Sequence, residues 1–102
     1  MTFLDRKIEV PDAVAVSVSD DSLRVELRDG RTIIVPLLWY PRLENASKNE
    51  RENWELIGRG EGIHWLDLDE DISIVGLIAG DQSKESPASF SKWLEARNNK
   101  NS

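Results

Sequence analysis

Between Ala13 and Val35 apolar and polar residues alternate in three short runs, and that period commits the chain to an antiparallel meander. In Ala13 to Ser19, Val14, Val16 and Val18 stand against Ala15 and Ser17. In the next run Leu23, Val25 and Leu27 alternate with Arg24, Glu26 and Arg28. A period of two sets one face of each strand on a core and the other in water. Asp20-Asp21-Ser22 supplies the first turn. Asp29-Gly30 supplies the second and predicts a type I′ turn, with positive φ at both central residues. Arg31 to Val35 resumes β-branched character, and Pro36 ends the strand because it has no N–H for a ladder.

Beyond Pro36 the pattern changes. Trp39, Leu43 and Ala46 fall at helical spacing, which predicts a short helix over about Pro41 to Ala46 with the proline in its first turn. Ser47-Lys48-Asn49-Glu50 has the form of a capping box and predicts a second helical turn through Asn53. Trp54 to Ile57 and Ile63 to Trp65 have strand character on either side of a glycine-rich connection, so a second hairpin is expected. Asp67 to Asp71 reads as a loop, and Ile72 to Ala79 as a buried segment, more helix than strand. Ser86-Pro87 is an N-cap followed by proline at the first helical position. The stripe Phe90, Trp93, Leu94 and Arg97 is expected to dock the resulting C-terminal helix on the sheet. The fold class is α+β: a small antiparallel β meander plus a second hairpin, packed with short helices and a C-terminal helix. The 102 residues form one domain, loosely ordered over about 1–10 and 98–102.

Composition removes several functions. There is no cysteine, so thiolate chemistry, disulfides and zinc–thiolate or iron–sulfur sites are closed. With 13 basic and 19 acidic residues the formal net charge is −6, which repels phosphate backbones and favours a basic partner over a nucleic acid. No run of apolar residues is long enough for a membrane span, and the N-terminus lacks the form of a signal peptide, so a cytoplasmic location is expected.

The densest stretch runs from Gly58 to Ser73, with three glycines, the sole histidine, Trp65 and the carboxylates Asp67, Asp69, Glu70 and Asp71. Its glycines are spaced G-x-G-x-G, which is neither a dinucleotide fingerprint nor a phosphate loop; they suit a hairpin, or a place where another backbone comes close. Asp67-x-Asp69-x-Asp71 copies the opening of a calcium loop, but Ile72 stands where the turn glycine belongs and Ile78 where the bidentate glutamate belongs. His64, Asp67 and Asp69 are the candidate ligands of a looser cation site. The acidity also has a structural use, since Asp71 or Ser73 can cap a turn beginning at Ile74. His64 beside an acid is a candidate general base, but no serine lies in a nucleophile elbow, and no catalytic residue is assigned. Arg42, Arg51 and Arg59 could stack on Trp39, Tyr40 and Trp54 as a contact patch, or pair internally with the surplus acids.

Val35-Pro36-Leu37, Trp39-Tyr40-Pro41-Arg42-Leu43, Glu50-Arg51, Asn53-Trp54, Gly62-Ile63-His64-Trp65 and Leu68-Asp69-Glu70-Asp71-Ile72-Ser73 together resemble a small bacterial family, domain of unknown function twenty-four forty-two. The resemblance runs from the first hairpin to the region of Gly80. The serine-rich lead into Phe90-Ser91-Lys92-Trp93-Leu94 is similar to the family's usual ending. Leu66 departs from the pattern, which usually has proline after the tryptophan. The resemblance implies a small α+β domain with no catalytic residues to transfer; no cofactor is expected. Some relatives are encoded beside a second small protein in what look like toxin–antitoxin pairs, which implies the acidic partner of a small basic toxin-like protein.

The expected function is therefore a non-enzymatic protein-interaction module, antitoxin-like, with Trp65, Asp67, Asp69, Glu70, Asp71, Trp39, Tyr40 and Arg42 as contact residues. Neither nucleic acid nor membrane is expected as a partner, and self-association is open. The alternative is a small-ligand or divalent-cation site around His64 and the carboxylates from Asp67 to Asp71.

Overall fold

The structure, a computed structural model, describes residues 9–100. Strands β1 (Ala13–Val18), β2 (Ser22–Leu27) and β3 (Thr32–Pro36) form an antiparallel sheet in that order. Leu23, Val25 and Leu27 are buried while Arg24, Glu26 and Arg28 are exposed, as the alternation dictates. The first strand departs from it. A bulge between Ala13 and Ala15 breaks the register against β2, so Ala13 is buried and Val14 turns out to 43% exposure, while Val16 and Val18 keep the inner face. One extra residue in a strand reverses the facing of whatever lies beyond it. The Asp29-Gly30 turn also differs from a type I′ turn, since only Gly30 has positive φ, at 95°. The Gly30 N–H closes on the Leu27 carbonyl at 3.0 Å and Leu27 N–H on the Arg31 carbonyl at 2.8 Å, a longer loop with glycine at its left-handed position.

A 3-10 turn (Leu37–Trp39) leads into helices α1 (Pro41–Glu44) and α2 (Lys48–Glu52). Both halves of the capping box form: Ser47 Oγ accepts from Glu50 N–H at 3.2 Å, and Glu50 Oε1 accepts from Ser47 N–H at 2.8 Å. Arg51 reaches back over the end of α1, donating to the Leu43 and Glu44 carbonyls at 2.9 Å each, where a cation suits the unpaired helix carbonyls.

The second hairpin is part of a second three-stranded antiparallel sheet, β4 (Trp54–Ile57), β5 (Gly62–Trp65) and β6 (Glu70–Ser73). The acidic loop is thus shorter than the sequence suggested, because Glu70 and Asp71 pair with Trp65 and His64. Ser73 ends β6 and caps α3 (Ile74–Ala79), its Oγ accepting from Gly76 N–H at 2.9 Å; the segment from Ile72 divides between strand and helix.

The sheets meet at Gly60, whose carbonyl accepts from Ala13 N–H at 2.8 Å. Gly60 has φ of 115°, and a Cβ there would fall on the Ala13 carbonyl oxygen. The glycine is required for the approach of another backbone. Around this joint lies a shared core in which Trp65, Leu23, Leu37, Leu43, Ile63 and Leu68 are fully buried. Trp65 donates its indole N–H to the Arg51 carbonyl at 3.0 Å, so its polar atom is satisfied inside.

Helix α4 (Pro87–Lys100) starts at Ser86, whose Oγ accepts from Ser89 N–H at 3.1 Å. Its contacts with the rest of the fold run through Arg42 of α1, Glu50 of α2 and the core around Trp93, rather than along a sheet. Trp93 packs against the core with Arg42 on its ring at 5.2 Å and Arg97 at 4.6 Å, while Arg97 pairs with Glu50 at 2.6 Å. The expectation of loose order at the ends falls partly outside the described residues, on 1–8 and 101–102. Among the described residues no helix is long and apolar enough to cross a membrane.

Candidate functional site

The second sheet carries ionisable groups on both faces. Its register places Glu55, His64 and Asp71 in one row across three strands on the outer face. His64 Nδ1 bonds Asp71 Oδ1, and this bond, with Asp71, Glu55 and Asp69 charges nearby, raises the imidazole above its ordinary pKa. On the inner face Trp54, Leu56, Ile63, Trp65 and Ile72 supply the core, and Glu70 lies directly across from Trp65. A carboxyl on the core side of a sheet loses water that would stabilise its charge. Burial accordingly pushes Glu70 up to about 7 against the pull of Arg42, with Glu85, Asp71 and Asp69 adding repulsion.

Glu70 opens into a cleft of about 400 Å³ between the β5–β6 turn, α3 and the connection from Asp81 to Glu85. Five carboxylates line it, from Asp69, Glu70, Asp71, Asp81 and Glu85, against two cations, Arg42 and Lys84. Arg42 is already engaged. Its Nε and Nη2 donate to Glu85 at 2.9 and 2.5 Å, and its Nη1 donates to the Leu68 carbonyl at 2.8 Å. That pairing holds Glu85 below the usual carboxylate range. Tyr40 forms one wall, its hydroxyl donating to the Asp81 carbonyl at 3.0 Å. At the rim Asp69 has φ of 49°, a left-handed conformation that aspartate tolerates better than most residues. The tight turn it makes tucks Leu68 into the core.

A family model described as protein of unknown function (DUF2442) matches residues 13–83, from the start of β1 to beyond α3. The chain belongs to the DUF2442 family. A solved structure described as a protein of unknown function from Rhodospirillum rubrum ATCC 11170, at 2.75 Å resolution, is similar to it, with 34% identity and a TM-score of 0.63. The alignment covers 74% of this chain and 93% of that one. No curated protein matches. The part of the chain matched by the DUF2442 model contains both sheets and most of the cleft, while Lys84, Glu85 and α4 lie beyond it.

Of the residues that the sequence marks as contact candidates in this DUF2442 chain, Tyr40, Arg42, Asp69, Glu70 and Asp71 come together on the cleft. Trp65 is fully buried, so its side chain offers no surface, and Trp39 is partly buried against the core. Asp67 points elsewhere, accepting from Asn53 Nδ2 at 2.9 Å. His64, Asp67 and Asp69 therefore do not converge, and among the described residues no three His, Cys, Asp or Glu side chains are placed to hold a metal ion. Arg42 and Arg51 take the internal pairing, Arg42 stacking on Trp93 and binding Glu85 and Arg51 binding Asp20 at 3.1 Å, while Arg59 is exposed. Leu66, in the place where proline is usual, donates its N–H to the Asn53 carbonyl at 3.3 Å, a bond proline cannot make. Sequence reasoning missed Asp81 and Glu85. Nothing distinguishes them in a polar connector except that Glu85 directly precedes the Ser86-Pro87 cap.

Proposed function

We propose that this domain is a non-enzymatic protein-interaction module that receives basic side chains of a partner in the acidic cleft. In the finer form of this reading it is the antitoxin-like member of a pair, covering a small basic toxin-like protein. The observation that carries it is the imbalance of the cleft: five carboxyl groups face two cations, and with Glu85 bound to Arg42 and Asp71 to His64, those of Asp69, Glu70 and Asp81 are left for a partner. A guanidinium or ammonium group entering there meets Glu70, whose backbone is held in the β6 ladder and whose carboxyl makes no hydrogen bond among the described residues. Opposite charge on a partner raises its association rate and fixes its orientation.

The test is co-purification with the product of the adjacent gene, followed by calorimetry with the double substitution Asp69→Asn and Glu70→Gln. Above pH 7, where Glu70 is ionised, loss of both charges is expected to weaken binding by about 10- to 100-fold. Undiminished binding removes the cleft from the interaction.

The volume of the cleft, about 400 Å³, also suits a small organic cation held by the same carboxylates. Titration with small amines and with calcium, magnesium, manganese and zinc separates that second reading. Heat from an amine or a metal ion, with none from the partner protein, favours it.

A further inference from the structure

Glu85 belongs to two structures at once. It lines the cleft, and it anchors the start of α4 by accepting from Ser89 Oγ at 2.8 Å. Its carboxylate is otherwise taken up by Arg42, and the same guanidinium lies on the Trp93 ring. Trp93 is the residue of α4 that packs against the core, pressed by Arg97 on its ring and stacked with Phe90 at 5.8 Å. Helix α4 is therefore held by a chain of contacts, Glu85 to Arg42 to Trp93 to Arg97 to Glu50, whose first member faces the cleft.

We propose that α4 acts as a built-in brake on the cleft, the docked helix and an incoming cationic group competing for Glu85 through Arg42. This rests on the cleft being a site for basic groups. A cation that pairs with Glu85 draws it from Arg42 and Ser89, which loosens the seat of Trp93. By reciprocity of coupled equilibria, loosening Trp93 must strengthen cation binding by the same factor.

The test uses the full chain and hexalysine peptide as probe. Trp93→Ala removes the stacking; Arg97→Gln takes the other cation off the ring at a residue that does not line the cleft. Arg97→Gln loses one cation–π contact and is expected to tighten hexalysine binding about 2- to 5-fold, and Trp93→Ala, which loses both, at least as much. In the wild-type protein the peptide should speed amide hydrogen exchange across 87–100, the span of α4, while leaving β2 protected. Binding of equal strength in wild type and Arg97→Gln, with α4 exchange unchanged by the peptide, overturns the brake and leaves the cleft reading standing. No binding to any form of the protein overturns both.

Discussion

The two sheets have the same size and the same antiparallel order, yet they use their faces differently. In β1-β2-β3 the inner face is wholly apolar, and the charges of Arg24 and Glu26 stay in water. In β4-β5-β6 a carboxyl stands among the inner residues beside Trp65, and the outer face carries a carboxylate–imidazole–carboxylate row. The first sheet is arranged for burial. The second gives up some burial to hold titratable groups in fixed positions, an expense more often found at sites than in scaffolding.

The largest expected effect tests whether the sheets are separate units or one. Gly60→Ala puts a methyl onto the Ala13 carbonyl and forces alanine to a φ of 115°, so the joint has to move. A loss of about 2–4 kcal/mol is expected in urea unfolding, with both sheets melting in a single transition. Two separated transitions would show that they stand apart.

Next in size is the charge on the inner face. Glu70 has its folded-state pKa raised to about 7, above the value of about 4.5 for a free glutamate. The folded state thus binds the proton more tightly, and its contribution is present below the lower value and lost as pH rises through the upper one. Glu70→Gln is expected to leave stability near that of wild type at acid pH and to exceed it by about 1–2 kcal/mol above pH 7, after allowance for solvent screening. Parallel stability–pH curves for the two proteins would mean that Glu70 is solvated like a surface group. The same substitution has no counterpart in the first sheet, whose inner face has nothing to titrate.

The smallest effect concerns the outer row. His64 is expected to titrate above its ordinary value in an NMR pH series, and Asp71→Asn is expected to bring it down, since the bond to Asp71 is the largest cause of the rise. A histidine indifferent to that substitution would reduce the row to a coincidence of register.

How far the sequence revealed this molecule depends on the range of the forces involved. Alternation in β2 and the capping box at Ser47 are local, fixed by neighbours a few residues away, and they were readable, as was a cap before Ile74, narrowed to Asp71 or Ser73. The exposure of Val14 was not, because the bulge depends on where Ala13 meets Gly60. Nor was the environment of Glu70. Placing it inside requires knowing that it pairs with Trp65, and the acidic run hides that strand under a loop's composition. Among the arginines, internal pairing was one of two readings, but Trp93 as the ring beneath Arg42 comes from a helix whose apolar stripe predicts docking without saying on what.

The meeting of Ala13 with Gly60 has a consequence for how the chain reaches this structure. It ties together residues that enclose the whole first sheet, the 3-10 turn, both short helices and β4, so a long loop must close before the sheets can share a core. Closing it costs chain entropy that local hairpins do not incur, and the return comes only once Trp65 and Leu23 lie in the same interior. The glycine at that point thus bears on timing as well as on shape: it lets one of the longest-range contacts in the domain form without a side chain in its path.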